Sequence, residues 1–376
     1  MTTIETLAEL VGINSVSSRS NLEIVNRIAR QCDGLGLRTA RFPYTDDCGV
    51  EKINLIALAG VEFSDHSQVE LALVGHTDTV PFSADWPDAL RLGEREGKLF
   101  GRGACDTKAF IAATLSAVAA FGINNLKRPV ALIFTADEEV GLLGAKRLAE
   151  LQPLRARYSV VGEPTSLKPM RAGKGYSLAQ VTVRGREAHS AYPAFGVSAI
   201  FRTARLLNRL EQIARALEPE QHPAFDPPYT TLNVGLVEGG TAKNVIAGEC
   251  RFTLEWRPIP GQGSSRLLDL LSTAIAAERE TDPSFDCTID AARADEGFET
   301  SAESELVRFL EKATGNAAGT VAFGTEAAQM ISLGAEAVVL GPGDIRVAHR
   351  TGEYVPTAEL EACVEVLKET LRRFCG

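Results

Sequence analysis

Paired cysteines, basic runs, long apolar runs and histidines are all scarce in this chain, and each scarcity narrows what it can be. Seven cysteines stand singly at Cys32, Cys48, Cys105, Cys250, Cys287, Cys363 and Cys375. Without a C-x-x-C spacing they argue against a disulfide framework or a thiolate zinc site and for a reducing compartment. No basic block offsets the formal charge of -10, so no nucleic-acid or anionic-membrane partner is expected. No apolar stretch is long enough to span a bilayer. The segment MTTIETLAELVGINSVSS has neither the basic nor the apolar region of a secretion signal, so the expected location is cytoplasmic.

What is present is the material of a large α/β protein. At 376 residues and 45% hydrophobic content, the chain exceeds the usual size of one core, and a large and a smaller domain are expected. Helical periodicity over 2–11 and 21–35, strand-like runs at 69–74, 129–135 and 157–161, and a small-residue helix over 107–121 set a βαβα rhythm. That predicts an α/β fold in which a mixed sheet is flanked by helices. From Tyr176 the rhythm becomes β-α-β-β-α-β, with strands at 176–184, 230–237, 249–257 and 285–291 and helices at 197–217 and 264–280. This is the order of a ferredoxin-like α+β layer. The first rhythm then returns: a helix at 302–314, short strands at 320–323 and 337–340, and a helix at 357–374. The expected division is a discontinuous large domain, 1–175 and 292–376, around an inserted domain, 176–291.

Five histidines occur in the chain, and His, Asp and Glu gather in five Gly-rich or turn-like segments. These are LALVGHTD (71–78), GRGACDTK (101–108), ADEE (136–139), VVGEPT (160–165) and VAHRTGE (347–353). His76 ends an aliphatic run and would reach the crevice where open α/β sheets bind ligands, although a lone histidine capping a loop is the plain alternative. Asp78, on the same side of an extended chain, can accept the ring's other N–H. Asp106 sits between a Gly-Arg-Gly turn and a helix, where an N-cap is the plain reading. Glu138, Glu139 and Glu163 follow strands, where solubility explains them poorly. Half-buried acids at this density repel one another unless cations neutralise them. Two divalent ions sharing one aspartate would do so, and mixed carboxylate and imidazole donors suit zinc, cobalt or manganese. Cys105, beside Asp106, reads as a packed residue.

Taken in order, HTDTVP, GRGACDTK, DEE, GEPT and AHRTGEYV resemble the motifs of the M20 family of co-catalytic zinc amidohydrolases and exopeptidases, across nearly the whole chain. The resemblance implies that His76 and Glu163 complete one metal site and Glu139 and His349 the other, with Asp106 bridging them. It further implies Glu138 as general base, Asp78 orienting His76, and two divalent ions as cofactor, zinc or alternatively cobalt. The chain departs from the family in Thr107-Lys108-Ala109, where a methionine and a glycine are more usual, and no ligand is lost. GTEA at 324–327 is similar to the family branch that acts on N-acetyl-L-ornithine. The branch acting on succinyl-diaminopimelate carries a Thr-Ser pair there.

The implied reaction is hydrolysis of the amide of a small N-acyl amino acid, here N-acetyl-L-ornithine, with Glu138 moving a proton from water to the leaving nitrogen. His189, in RGREAHSAYP, reads on composition as a loop histidine. The resemblance implies that it closes over the substrate from an inserted lid and steadies the oxyanion, often from the partner subunit of a homodimer. Arg257 can grip a free carboxylate bidentately or serve as a rim charge, and Asn244 is a similar candidate. Thr325 can bond a substrate carboxylate and Glu326 attract an ammonium, against the plain alternative of a helix-start turn. GPGD at 341–344 lacks the Gly-Lys-Ser/Thr ending of a nucleotide loop. Acetylcitrulline or succinyl-diaminopimelate deacylases and carboxypeptidases of the family need the same ligands and stay open. A noncatalytic metal-binding protein is disfavoured by the presence of Glu138.

Overall fold

The computed structural model describes residues 1–64 and 67–376, and the chain divides into two compact units. Met1–Arg171, Glu299–Gly319 and Thr325–Gly376 form the first; Ala172–Phe298 and Thr320–Gly324 form the second. The chain therefore leaves the first unit twice and returns twice, and the short excursion Thr320–Gly324 has no signal in the sequence periodicity.

Within the first unit, strands run in the order Arg38–Thr45, Glu51–Ala59, Val130–Thr135, Ser67–His76, Leu154–Val161, Glu336–Val339. Arg38–Thr45 and Glu51–Ala59 form an antiparallel hairpin that joins Val130–Thr135 antiparallel, and the last four strands are mutually parallel. Every residue of Val130–Thr135 is buried, as a parallel strand covered on both faces requires. The helix Lys108–Phe121 packs against Thr357–Cys375 and Thr3–Gly12. It has no single apolar stripe, because Ala109 to Ala113 are buried in succession; its small residues let neighbouring helices close on it from several sides. Thr3–Gly12 starts with a capping box formed by Thr2 and Glu5, which satisfies two otherwise orphaned N–H groups. Parallel strands end at the same edge of a sheet. His76 pairs in register with Thr135 and Val74 with Val161, so the segments after these strands, carrying Asp78, Glu138, Glu139 and Glu163, emerge side by side.

In the second unit an antiparallel sheet runs in the order Thr231–Gly239, Glu249–Arg257, Ser177–Arg184, Asp286–Ala294. With the helices Ala199–Leu217 and Arg266–Thr281 between strands, this is the β-α-β-β-α-β layer. Ser177–Arg184 alternates buried and outward residues. Its Val181 and Val183 pack with Leu206, Leu210, Phe252, Leu254 and Trp256 in the unit's core, the period-two pattern of a sheet covered on one face. Among the described residues no helix is long and apolar enough to cross a membrane.

Candidate active site

Asp106 does not cap the helix that follows it: the N-cap is Thr107, without a side-chain bond. Its carboxylate faces two imidazoles, one from each oxygen. Oδ1 lies 3.0 Å from His76 Nε2 and Oδ2 3.1 Å from His349 Nε2. Glu139 Oε2 lies 3.0 Å from the same His349 nitrogen. His76, Asp106 and Glu139 offer ligand atoms within 4.8 Å of one another, a group able to hold a metal ion. His76 Nδ1 is 3.0 Å from the carbonyl oxygen of Asp78. A carbonyl only accepts, so Nδ1 carries a proton, and in the neutral ring Nε2 keeps its lone pair for a cation. Glu163 is 4% exposed and its Oε1 has no hydrogen-bond partner among the described residues. An orphaned buried carboxylate oxygen is costly, and a cation would satisfy it.

The electrostatics fit the same donor set. Burial first, and then the nearby acids, push Glu138 and Glu163 well above the usual carboxylate range, and burial raises Glu139 as well. Burial would also raise Asp106, but hydrogen bonds with His349 and His76 hold it below its ordinary value. Hydrogen bonds to Asp106 and Glu139 push His349 up to about 10. His76 is lifted well above its ordinary value by Asp106 and Asp78 even though burial opposes its charge. Protons shared among acids and imidazoles in this way are what a bound cation displaces.

Asp78 departs from the expectation. Its carboxylate lies 3.6 Å from His76 Nδ1, too far for a hydrogen bond, and the ring bonds the carbonyl of the same residue instead. The carboxylate accepts from the backbone N–H of Glu138 at 3.1 Å and of Glu139 at 3.3 Å, and from Ser17 Oγ at 2.8 Å. Asp78 therefore holds His76 through its backbone and the two acids through its side chain.

Sequence reasoning missed the other anchors of this loop. Asn54 Oδ1 accepts from Ala136 N–H at 3.0 Å and Nδ2 donates to the Gly144 carbonyl at 2.9 Å. Gly144 has to be glycine for that approach, since a Cβ would stand 2.3 Å from Asn54 Oδ1. Lys52, 1% exposed, donates to Asp137 at 2.7 Å, and the Tyr44 hydroxyl donates to the same carboxylate at 2.8 Å. They pin a residue whose φ of 56° is uncommon outside glycine. The available signal was a Lys and an Asn inside the otherwise apolar run EKINLIALA.

Glu326 is 1% exposed; it accepts from the Thr135 hydroxyl, while Oε2 has no hydrogen-bond partner among the described residues. Burial pushes its carboxyl up to about 7. Thr325 Oγ1 accepts from Ala327 N–H at 3.2 Å, the helix-start role that the sequence left open. Cys105 is buried with Sγ directed at the Asp344 carbonyl, a packed residue.

The second unit brings His189 and Asn244 together. His189 pairs with Val245 in a two-residue ladder, and Ser190 N–H donates to the Asn244 carbonyl at 3.0 Å. Both residues are exposed. His189 Nδ1 accepts from Ala191 N–H at 3.1 Å, which in a neutral ring leaves the proton on Nε2 as a donor. Arg257 Nε bonds Glu255 at 2.9 Å, Nη1 donates to the Ala322 carbonyl, and the guanidinium lies 4.7 Å from the Tyr176 ring centroid. With these nitrogens engaged, the expected bidentate grip on a carboxylate is not open in this conformation.

A sequence profile of peptidase family M20/M25/M40 matches residues 72–373. The chain is 52% identical over 372 residues to an acetylornithine deacetylase of Myxococcus xanthus, covering 99% of this chain and 97% of the relative. Identity to an acetylornithine deacetylase of Klebsiella pneumoniae (strain 342) is 35% over 381 residues, again 99% of this chain and 97% of the relative. Among solved structures, an M20 family metallo-carboxypeptidase from Sulfolobus solfataricus has a TM-score of 0.76 at 17% identity, covering 99% of both chains, a likeness of fold.

Proposed function

The chain belongs to peptidase family M20/M25/M40, and we propose that it hydrolyses the N-acetyl amide of N-acetyl-L-ornithine to L-ornithine and acetate. The observation that carries this reading is the 52% full-length identity to a deacetylase of that name, on a chain that keeps an acid next to a metal-type donor cluster. His76 and Glu163 would hold one divalent cation, Glu139 and His349 the other, and Asp106 would bridge them. The donor set suits zinc, and cobalt as well. Bound there, the pair would polarise the amide carbonyl and acidify the attacking water. Glu138 adjoins the cluster without being one of its proposed ligands, and a carboxylate so placed can take a proton from water and return it to the leaving nitrogen.

On the substrate side, the Nε2–H of His189 is the donor for the developing oxyanion, with Asn244 beside it. The unpartnered oxygen of Glu326 suits the ornithine ammonium, Arg257 the substrate carboxylate through its remaining Nη, and Thr325 a second contact through its hydroxyl proton. We assign the second unit as a lid and as the dimerisation surface. Tyr192, Phe195, Ile200, Phe201, Leu236 and Val237 are exposed on it, and Thr231–Gly239 is an edge strand, features that mark contact surfaces. A cytoplasmic setting accords with seven unpaired cysteines.

The test compares chelator-treated protein with zinc- or cobalt-reconstituted protein on acetylornithine, acetylcitrulline, succinyl-diaminopimelate and dipeptides. Metal-dependent preference for acetylornithine supports the reading. Better turnover of a dipeptide or of the succinyl compound replaces it with a carboxypeptidase or desuccinylase, and no turnover at all leaves a noncatalytic metal-binding protein.

A further inference from the structure

The turn after His349 ends in Glu353, an acid to which the proposed chemistry assigns no part. It is buried against Arg102: Nη1 of the arginine lies 2.6 Å from Glu353 Oε2, with side chains 3% and 1% exposed. The other oxygen, Oε1, accepts from the backbone N–H of Cys105 at 2.9 Å and of Asp106 at 3.0 Å. The free edge of the arginine, Nη2, donates to the Pro81 carbonyl at 3.2 Å, in the segment that begins at His76. The Glu353 carbonyl in turn accepts from Gly101 N–H at 3.1 Å. One ion pair thus joins three segments distant in sequence, those carrying His76, Asp106 and His349.

A buried ion pair is a poor device for stability alone, because desolvation offsets most of the attraction and an apolar pair of similar volume often folds as well. Its directional bonds are what an apolar pair lacks. The arginine fork reaches two acceptors in fixed geometry, and the carboxylate holds the N–H of Asp106 itself. We propose that Arg102 and Glu353 are positioning residues that set Asp106 between the two histidines and so set the affinity and geometry of cation binding. The proposal rests on the reading of this cluster as a two-cation centre. Neither residue is a cation ligand or a catalytic residue.

The test uses the full chain, stripped of metal and titrated with Co2+ and Zn2+ against a chromophoric chelator, well below the unfolding temperature of each protein, so that global stability does not enter the binding constant. E353Q keeps an acceptor for the two N–H groups but loses the charge that faces Arg102. R102K keeps the charge but loses the fork that reaches Pro81, and it serves if E353Q does not fold. Both variants should bind Co2+ about 10- to 100-fold more weakly and show an altered visible Co2+ spectrum. Folded R102K and E353Q with two ions bound at unaltered affinity and an unaltered spectrum would overturn the positioning role and leave the two-cation reading standing. An unaltered chain that binds no pair of ions would overturn the two-cation reading itself, and with it this proposal.

Discussion

His76 and His189, one from each unit, are held in opposite ways. In the first unit, the His76 ring is buried, bonded on both nitrogens and set at the end of a strand whose neighbour Val130–Thr135 ends in register with it. In the second, His189 is exposed on a ladder two residues long, with one ring nitrogen held by the backbone N–H of Ala191. A group that must keep its distance to several others is fixed by many bonds before any ligand arrives. The oxyanion contact proposed for His189 would instead need an open donor, because the charge it meets appears only during reaction. The same contrast separates Glu138, whose backbone N–H is tied to Asp78, from Asn244, which sits in an exposed turn.

The contrast would break if the first unit tolerated loss of an anchor. Lys52→Met removes the cation from a carboxylate that is 1% exposed and leaves Asp137 with the Tyr44 hydroxyl. Losing one partner of a buried pair costs about 3 kcal/mol or more, so the denaturant midpoint of the metal-free protein should fall accordingly. A midpoint within experimental error of the unaltered chain would show that Asp137 is not anchored through this pair. Glu138→Gln should do the reverse. Shape and metal content stay, because Asp78 grips the backbone of residue 138 and not its side chain, while turnover of acetylornithine falls at least roughly 100-fold. Retention of activity with two metals bound would exclude Glu138 as the base.

His189→Ala sharpens the other side of the comparison. An exposed residue on a two-residue ladder contributes little to stability, so metal content and unfolding temperature should hold. The turnover number should drop by up to about 100-fold with little change in KM, since the contact strengthens as the oxyanion forms. A change confined to KM counts against that role. Mixing H189A with E138Q under subunit exchange then distinguishes the source of the histidine. Recovered activity means that it is supplied across a dimer, and no recovery after proven exchange means that it acts within its own chain.

Much of this arrangement was legible in the sequence, for reasons that can be stated. The helices at Leu22–Gly34, Ala199–Leu217 and Thr357–Cys375 announce themselves by periodic apolar spacing, and Val130–Thr135 by an unbroken apolar run. His76, Asp106 and Glu139 stand in turn-like segments next to such elements, and the fold brings them within reach of one another. The hairpin Arg38–Thr45 and Glu51–Ala59 was missed because Lys52 and Asn54 interrupt its pattern, and those interruptions are its anchoring contacts. Gly93–Arg95, Lys98–Phe100 and Tyr354–Pro356 form a sheet of strands three residues long, too short for any period to register. The partner of His76 Nδ1 could not be read either, since the carbonyl and the carboxylate of Asp78 occupy the same position in the sequence.

The smallest effect expected is on the pH dependence of the metal-free protein, and it arises in the first unit. Glu326 titrates near 4.5 when unfolded and at about 7 in the fold, and Glu138, Glu139 and Glu163 shift the same way. Between those values the folded protein binds more protons than the unfolded chain, so stability falls as pH rises. The raised His349 keeps its full stabilising contribution below 6.5. Lys108, which burial lowers to about 7, opposes the trend only above that point. Acids with lowered values, such as Asp106 and Asp78, have given their contribution once pH exceeds 3.8. The shifted carboxylates of the second unit, Glu220, Glu278 and Asp282, all lie below their ordinary values and add no slope in this window. Chelator-treated protein should therefore lose denaturant resistance steadily from pH 4.5 to about 7. Glu326→Gln should flatten part of that slope, and bound zinc should reverse it, because the cation needs the acids ionised. A metal-free midpoint that stays level or climbs across the window would mean that these carboxylates are not held protonated, and that the buried cluster is neutralised by some means other than shared protons.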